Sequence, residues 1–190
     1  MKNPAIALLA LLTLGVAPAI HAQDGSAYYG VSLGEFNYSE TGDFIDDTAS
    51  SWKLMINYQF LDHLAVEGAY GQTGDFKSRV TVPTFPIGTV DLDFKAEYSR
   101  ILLIRMLGVL PFKSGLSLMG GLGYSQMKFE FDLTDGQSSV SGDADENNLG
   151  YYAGVQYDFD HFAMRLGYEM FDLDSGRDAN ETMLSFFYKL

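Results

Sequence analysis

Five ionisable residues draw attention by their surroundings. Lys53, Glu67, Arg105, Arg165 and Glu169 each fall inside a stretch otherwise built from apolar and small residues. A charge so placed serves as an acid, a base or an ion ligand, or it is neutralised by a partner. With Lys95, Lys189, Glu97 and Glu181 they occupy one face of an alternating pattern, five cations against four anions. That near-neutrality is what burial demands, and it predicts a paired interior network that excludes solutes. A path for protons or ions is the rival reading. Catalysis has weaker credentials. Gly30-Val31-Ser32-Leu33-Gly34 spells the nucleophile-elbow pattern, but that motif needs a strand-to-helix turn and a histidine partner. Here it lies within an extended run, and past residue 22 the only histidines are His63 and His161, both in short turns. The absence of cysteine excludes a thiolate metal cage and a cysteine nucleophile. Asp143-Ala144-Asp145 and Asp172-Leu173-Asp174 are weak calcium candidates, since both lack the sixth-position glycine and twelfth-position glutamate of an EF-hand. No cofactor is expected.

The elements that must position these charges are strands. Apolar residues recur at every second position in Trp52–Phe60, Leu64–Tyr70, Leu149–Phe159, Phe162–Met170 and Thr182–Leu190. Runs of about ten residues are long for a soluble sheet and suit a tilted membrane-spanning strand. Short turns near 61–63, 110–115 and 158–161 alternate with long polar connections near 39–51, 74–91, 134–148 and 172–180, joining eight strands. Short turns at one end and long loops at the other predict an all-β, eight-stranded antiparallel up-and-down transmembrane barrel.

Length, charge and targeting agree with this. The 190 residues allow one domain, and a formal charge of −13 disfavours nucleic acid as a partner. Lys2, an apolar run from Ala5 to Ala17 and a small residue at Ala22 describe a secretory signal over 1–22, leaving 23–190 as the barrel domain. Apart from that segment, no run approaches the 20 or so apolar residues of a membrane helix.

Side-chain size decides which face meets lipid. The apolar face carries rings and large aliphatics, while the other carries glycine, alanine, serine and the charges. A small barrel has interior room only for the latter set. Tyr28, Trp52, Tyr58, Tyr70, Tyr98, Tyr151, Tyr157, Phe162, Tyr168, Phe186 and Tyr188 are therefore expected to face lipid and mark its two interfaces. Arg105 tests the register, because an arginine in mid-bilayer costs about 2–4 kcal/mol. It is expected inward beside Glu67, with Arg100 at the outer rim. Alternation also switches parity between Ser125 and Asp132, which predicts a bulge or a strand continuing above the membrane.

The signal segment, the alternating strands and the hydrophobic end Met183-Leu-Ser-Phe-Phe-Tyr-Lys-Leu190 resemble the small outer-membrane barrels. That family includes the transmembrane domain of outer membrane protein A and the opacity-type, porin-like proteins. The resemblance implies a bacterial, Gram-negative outer membrane, both termini periplasmic, and no appended peptidoglycan-binding domain. It implies outer-membrane lipid and lipopolysaccharide, periplasmic chaperones and the barrel-assembly machinery as partners of a monomer. Phe186, Tyr188 and Leu190 would form the assembly signal, although family members usually finish on Phe or Trp. A non-enzymatic envelope role is expected; the alternatives are a surface adhesin acting through acidic loops and a small-solute channel.

Overall fold

Backbone crossing hydrocarbon must satisfy its own hydrogen bonds, and strands achieve this only by closing a ring. The computed structural model describes residues 25–40, 46–84, 88–135, 138–173 and 177–190. Its strands are β1 (Ser26–Glu40), β2 (Asp46–Leu61), β3 (Leu64–Thr73), β4 (Phe76–Thr84), β5 (Gly88–Pro111), β6 (Leu116–Thr134), β7 (Ser139–Phe159), β8 (Phe162–Asp172) and β9 (Arg177–Lys189). They pair antiparallel in the order β3-β2-β1-β9-β8-β7-β6-β5-β4, and β3 pairs with β5 to close the ring. β3 and β4 lie end to end along β5, interrupted at Gly74 and Asp75. They form one stave, so nine strands make an eight-stave barrel. Residues 1–22, read as a signal segment, and Asp174 lie outside the described residues.

The staves are unequal. β8 has 11 residues, which at about 3.3 Å each and a tilt of about 45° give roughly 26 Å along the membrane normal. That matches an apolar band of about 25 Å. β5, β6 and β7 have 24, 19 and 21 residues and continue well past it. The expected long connections at 74–91 and 134–148 are consequently much shorter than the sequence suggested. Their polar residues belong largely to protruding hairpins, β4–β5 and β6–β7, whose ladders are continuous. Polarity misled there because the outer faces of those hairpins meet water rather than lipid.

Of the two causes expected for the parity switch on β6, the strand continuing beyond the membrane is the one the register supports. β6 keeps an unbroken register with β7 from Leu116 to Thr134, so it has no bulge between Ser125 and Asp132. The irregularity lies on β5, where pairing with β6 slips between Tyr98 and Arg100. Below it the inward positions are Ile101, Leu103, Arg105 and Leu107; above it they are Ala96 and Tyr98. One extra residue, Ser99, turns the strand over.

Two expectations fall with it. Tyr98 is fully buried and points inward, not at lipid. Lys95 is exposed and bonded to Asp75 at 3.0 Å, and Glu97 stands on the outer face across from Glu130, so neither joins the interior charges. Tyr28 is corrected for a different reason. In the Tyr28-Tyr29 pair the neighbour takes the lipid side, and Tyr28 turns inward edge-on to Phe187, with ring centroids 6.4 Å apart.

Candidate functional site: the barrel lumen

Pleating sends alternate side chains into the lumen, and the register stacks them in tiers. Nearest the short turns are Tyr28, Ala163 and Phe187. Arg165 stacks its guanidinium 4.4 Å from the Phe187 ring centroid. Its Nε and Nη2 donate to Gln156 Oε1 at 2.9 and 2.7 Å, and Nη1 donates to Glu67. Glu67 thus joins two cations, for Arg105 Nε also donates to its Oε1 at 2.7 Å. Asn57 Nδ2 adds a third donor at 3.2 Å. Cross-strand register explains this convergence, because Asn57, Glu67 and Arg105 are direct neighbours on β2, β3 and β5.

Arg105 carries the network upward. Its guanidinium lies 3.8 Å from the Tyr152 ring centroid, and Nη1 is 3.1 Å from Glu169. Glu169 and Glu181 are opposed across β8 and β9, a repulsive pairing if left alone. Lys53 resolves it, with its ammonium 3.7 Å from Glu169 and paired to Glu181, which also accepts from Ser51 Oγ at 2.5 Å. Six buried charges therefore balance, Lys53, Arg105 and Arg165 against Glu67, Glu169 and Glu181, and none exceeds 2% exposure. Lys189, counted inward from the sequence, sits at the turn end with its ammonium 5.9 Å from the Tyr28 ring.

Above the charges the lumen turns apolar. Phe36, Tyr38, Phe76, Tyr98, Met127 and Phe171 form a buried cluster, with Phe129 packed against it. Phe36 stacks on Phe171 at 5.5 Å and lies 5.3 Å from Tyr98. Sequence reading missed this cap. Its signal was the switch of large apolar side chains to odd positions on β6, Met127, Phe129 and Phe131, which keep pointing inward while their surroundings change.

Outside, Trp52, Tyr70, Tyr151, Tyr157, Phe162, Tyr168, Phe186 and Tyr188 are exposed on the lipid-side face, and Tyr58 is half-buried near the turns. Leu190 is exposed, and its backbone N–H donates to the Ala27 carbonyl at 3.0 Å. Arg100 leaves the barrel wall to pair with Asp145 at 3.0 Å. The described calcium candidates, Asp143, Asp145 and Asp172, do not converge. Asp143 and Asp145 are on extended β7 and face Lys128 (3.5 Å) and Arg100, while Asp172 ends β8. No metal-binding group of three or more His, Cys, Asp or Glu exists among the described residues. Ser32, the motif serine, is buried in β1 and accepts from Ser185 Oγ at 3.0 Å. His63 lies in a turn with Nδ1 3.1 Å from the Val109 carbonyl, and His161 in another turn, 3.5 Å from Asp160.

Comparison with known proteins agrees with this architecture. Residues 6–189 match the family described as outer membrane protein beta-barrel domain. No curated protein matches the sequence. Among solved structures, the attachment invasion locus protein Ail of Yersinia pestis, crystallised with the heparin analogue sucrose octasulfate, is 23% identical. It aligns over 88% of this chain and all of its own, with a TM-score of 0.60. Neisserial surface protein A is 14% identical over 88% of this chain and 100% of its own, at 0.60. OprG of Pseudomonas aeruginosa is 16% identical over 90% and 97%, at 0.56.

Proposed function

Because the chain belongs to the outer membrane protein beta-barrel family, we propose that it is a non-enzymatic envelope barrel of the bacterial outer membrane whose lumen is held shut. One observation carries the closure: six opposite charges, all essentially inaccessible, cross-brace the lumen beneath an aromatic cap. Burying that many charges is tolerable only when each is paired, and all but the Glu67–Arg105 pair tie together staves distant in sequence. The non-enzymatic reading rests on the burial of Ser32 and on the turn positions of His63 and His161. Both ends of the described barrel sit with the short turns at 62–63, 112–115 and 160–161, which supports a periplasmic placement for that end. The protruding hairpins would then stand outside the cell. Outer-membrane lipid, including lipopolysaccharide, would cover the exposed apolar belt. Periplasmic chaperones and the assembly machinery, reading Phe186, Tyr188 and Leu190, would handle the monomer on its way in.

Refolded protein in a planar bilayer should give no reproducible conductance step, whereas the Glu67→Ala and Arg165→Ala variants should flicker open. Steady conductance from the unaltered chain would overturn closure and favour the channel reading. A second reading, a surface interaction protein, is favoured by the length of β4–β7 beyond the membrane belt. Ail's sulfated ligand does not transfer readily, since the β7 segment beyond the belt presents Asp143 and Asp145.

A further inference from the structure

The outer part of β7 is an open sheet edge. β6 pairs with β7 from Ser139 down to Tyr157, whereas β8 reaches β7 only from Leu149 downward. Over Ser139–Asp145, β7 therefore has a strand on one side and, among the described residues, none on the other. At about 3.4 Å per residue that edge is roughly 24 Å long. Natural proteins usually blunt such an edge with charged side chains, lysine above all, or with proline, a bulge or a charge turned inward. Here the only charges, Asp143 and Asp145, pair with Lys128 of β6 and Arg100 of β5. This segment, Ser-Val-Ser-Gly-Asp-Ala-Asp, has no lysine or proline, and its register with β6 is unbroken.

Its two faces differ in chemistry. The lumen-side positions are Val140, Gly142 and Ala144, registered with Leu133, Phe131 and Phe129. The Phe131 ring lies over Gly142, where an added Cβ would come within 2.7 Å of it. Val140 is 63% exposed although it lies on that apolar side. The outer positions are Ser141, Asp143 and Asp145, with both carboxylates largely exposed. We propose that the Ser139–Asp145 edge docks an extended segment of another protein in which apolar residues alternate with lysine or arginine. The incoming strand would take β7's outward N–H and C=O groups. Its apolar side chains would extend the Val140–Leu133–Phe131 face, and its cations would lie beside Asp143 and Asp145. A second copy of the same edge fits less well, since it would bring like carboxylates together.

The inference deepens the surface-interaction reading and is independent of lumen closure. Its test is fluorescence anisotropy of a ten-residue Val-Lys alternating peptide with the full refolded chain in zwitterionic micelles. Saturable binding is expected, at least tenfold weaker for an isomer with valines and lysines in separate blocks, and absent for a Val-Glu peptide. Val140→Lys should weaken it at least tenfold. Asp143→Asn with Asp145→Asn, both surface changes, should weaken it several-fold. Bound peptide should slow amide exchange at 139–145 and leave 150–157 unchanged. Equal binding of the isomers, indifference to Val140→Lys, protection on another strand, or peptide-free dimers protected at 139–145 would each overturn the proposal. Bilayer conductance stays the separate readout of closure.

Discussion

At the scale of single residues, the lumen is governed by what each charge would meet if its partner were removed. Lys53 separates two glutamates that the ladder places face to face. Lys53→Met keeps the volume and removes the charge, so two buried carboxylates remain with one fewer cation. A loss of about 3–5 kcal/mol is expected, read from denaturant unfolding in micelles. Adding Glu181→Gln should recover most of it, which a purely steric defect would not. Glu67→Ala should cost a similar amount, since it strands Arg105 and Arg165 together. Backbone approach gives a second contrast. Gly120 and Gly121 are adjacent on β6, but a Cβ on Gly121 would lie 2.1 Å from the Met106 carbonyl oxygen, while one on Gly120 meets nothing within 3.7 Å. Gly121→Ala should therefore prevent stable folding. Gly120→Ala should stay within about 0.5 kcal/mol of the parent. Heat-modifiable gel mobility distinguishes the two outcomes.

At the scale of elements, one bulge decides how much was legible. The inward placement of Arg105 could be read from the sequence because the alternative carries a cost large enough to choose a register. The repeated strand–turn–strand units Tyr58–Ala65 and Tyr157–Ala163 put Glu67 and Arg165 at one height on the polar side, and the structure joins them in an ion pair. Tyr98, Lys95 and Glu97 could not be placed, for Ser99 bulges without a glycine or proline to announce it. The aromatic cap was hidden by the same rule that revealed the belt: large rings were assigned to lipid, yet above the membrane they belong inside. Tyr98 tests that distinction. Its ring touches Phe36, Tyr38, Phe76 and Phe129, so Tyr98→Ala should cost about 3–5 kcal/mol. Tyr151→Ala, on the outer belt, removes no packed neighbour from the lumen and should cost far less in the same denaturation assay.

At the scale of the whole molecule, the barrel inverts along its axis. Within the apolar belt it is charged inside and apolar outside; beyond Ser125 on β6 it is aromatic inside and charged outside. The change of solvent, from lipid to water, dictates that inversion, and the two halves should answer differently to pH. Lys128 donates to Glu130 at 2.7 Å, and this bond, followed by the one from Ser99 Oγ, holds the Glu130 carboxyl below its ordinary 4.5. A carboxyl depressed on folding contributes stability above its unfolded value and loses it as pH falls through the folded one. The same bond lifts Lys128 above its ordinary 10.5, and the bond to Asp75 lifts Lys95 likewise. A raised ammonium contributes below its unfolded value and loses that contribution as pH rises through the folded one. The outer sheet should accordingly be firmest between about pH 4.5 and 10.5, the ordinary values that bound both linkages. These pairs are exposed, so salt should weaken them as well. Hydrogen exchange in micelles should show amides 129–133 and 140–145 speeding up, beyond the intrinsic pH effect, below pH 4 and in molar salt. Amides 117–123, flanked by lipid and the braced lumen, should hold their protection. If both groups loosened together, the outer sheet and the braced barrel would be one cooperative unit rather than two layers held by different forces.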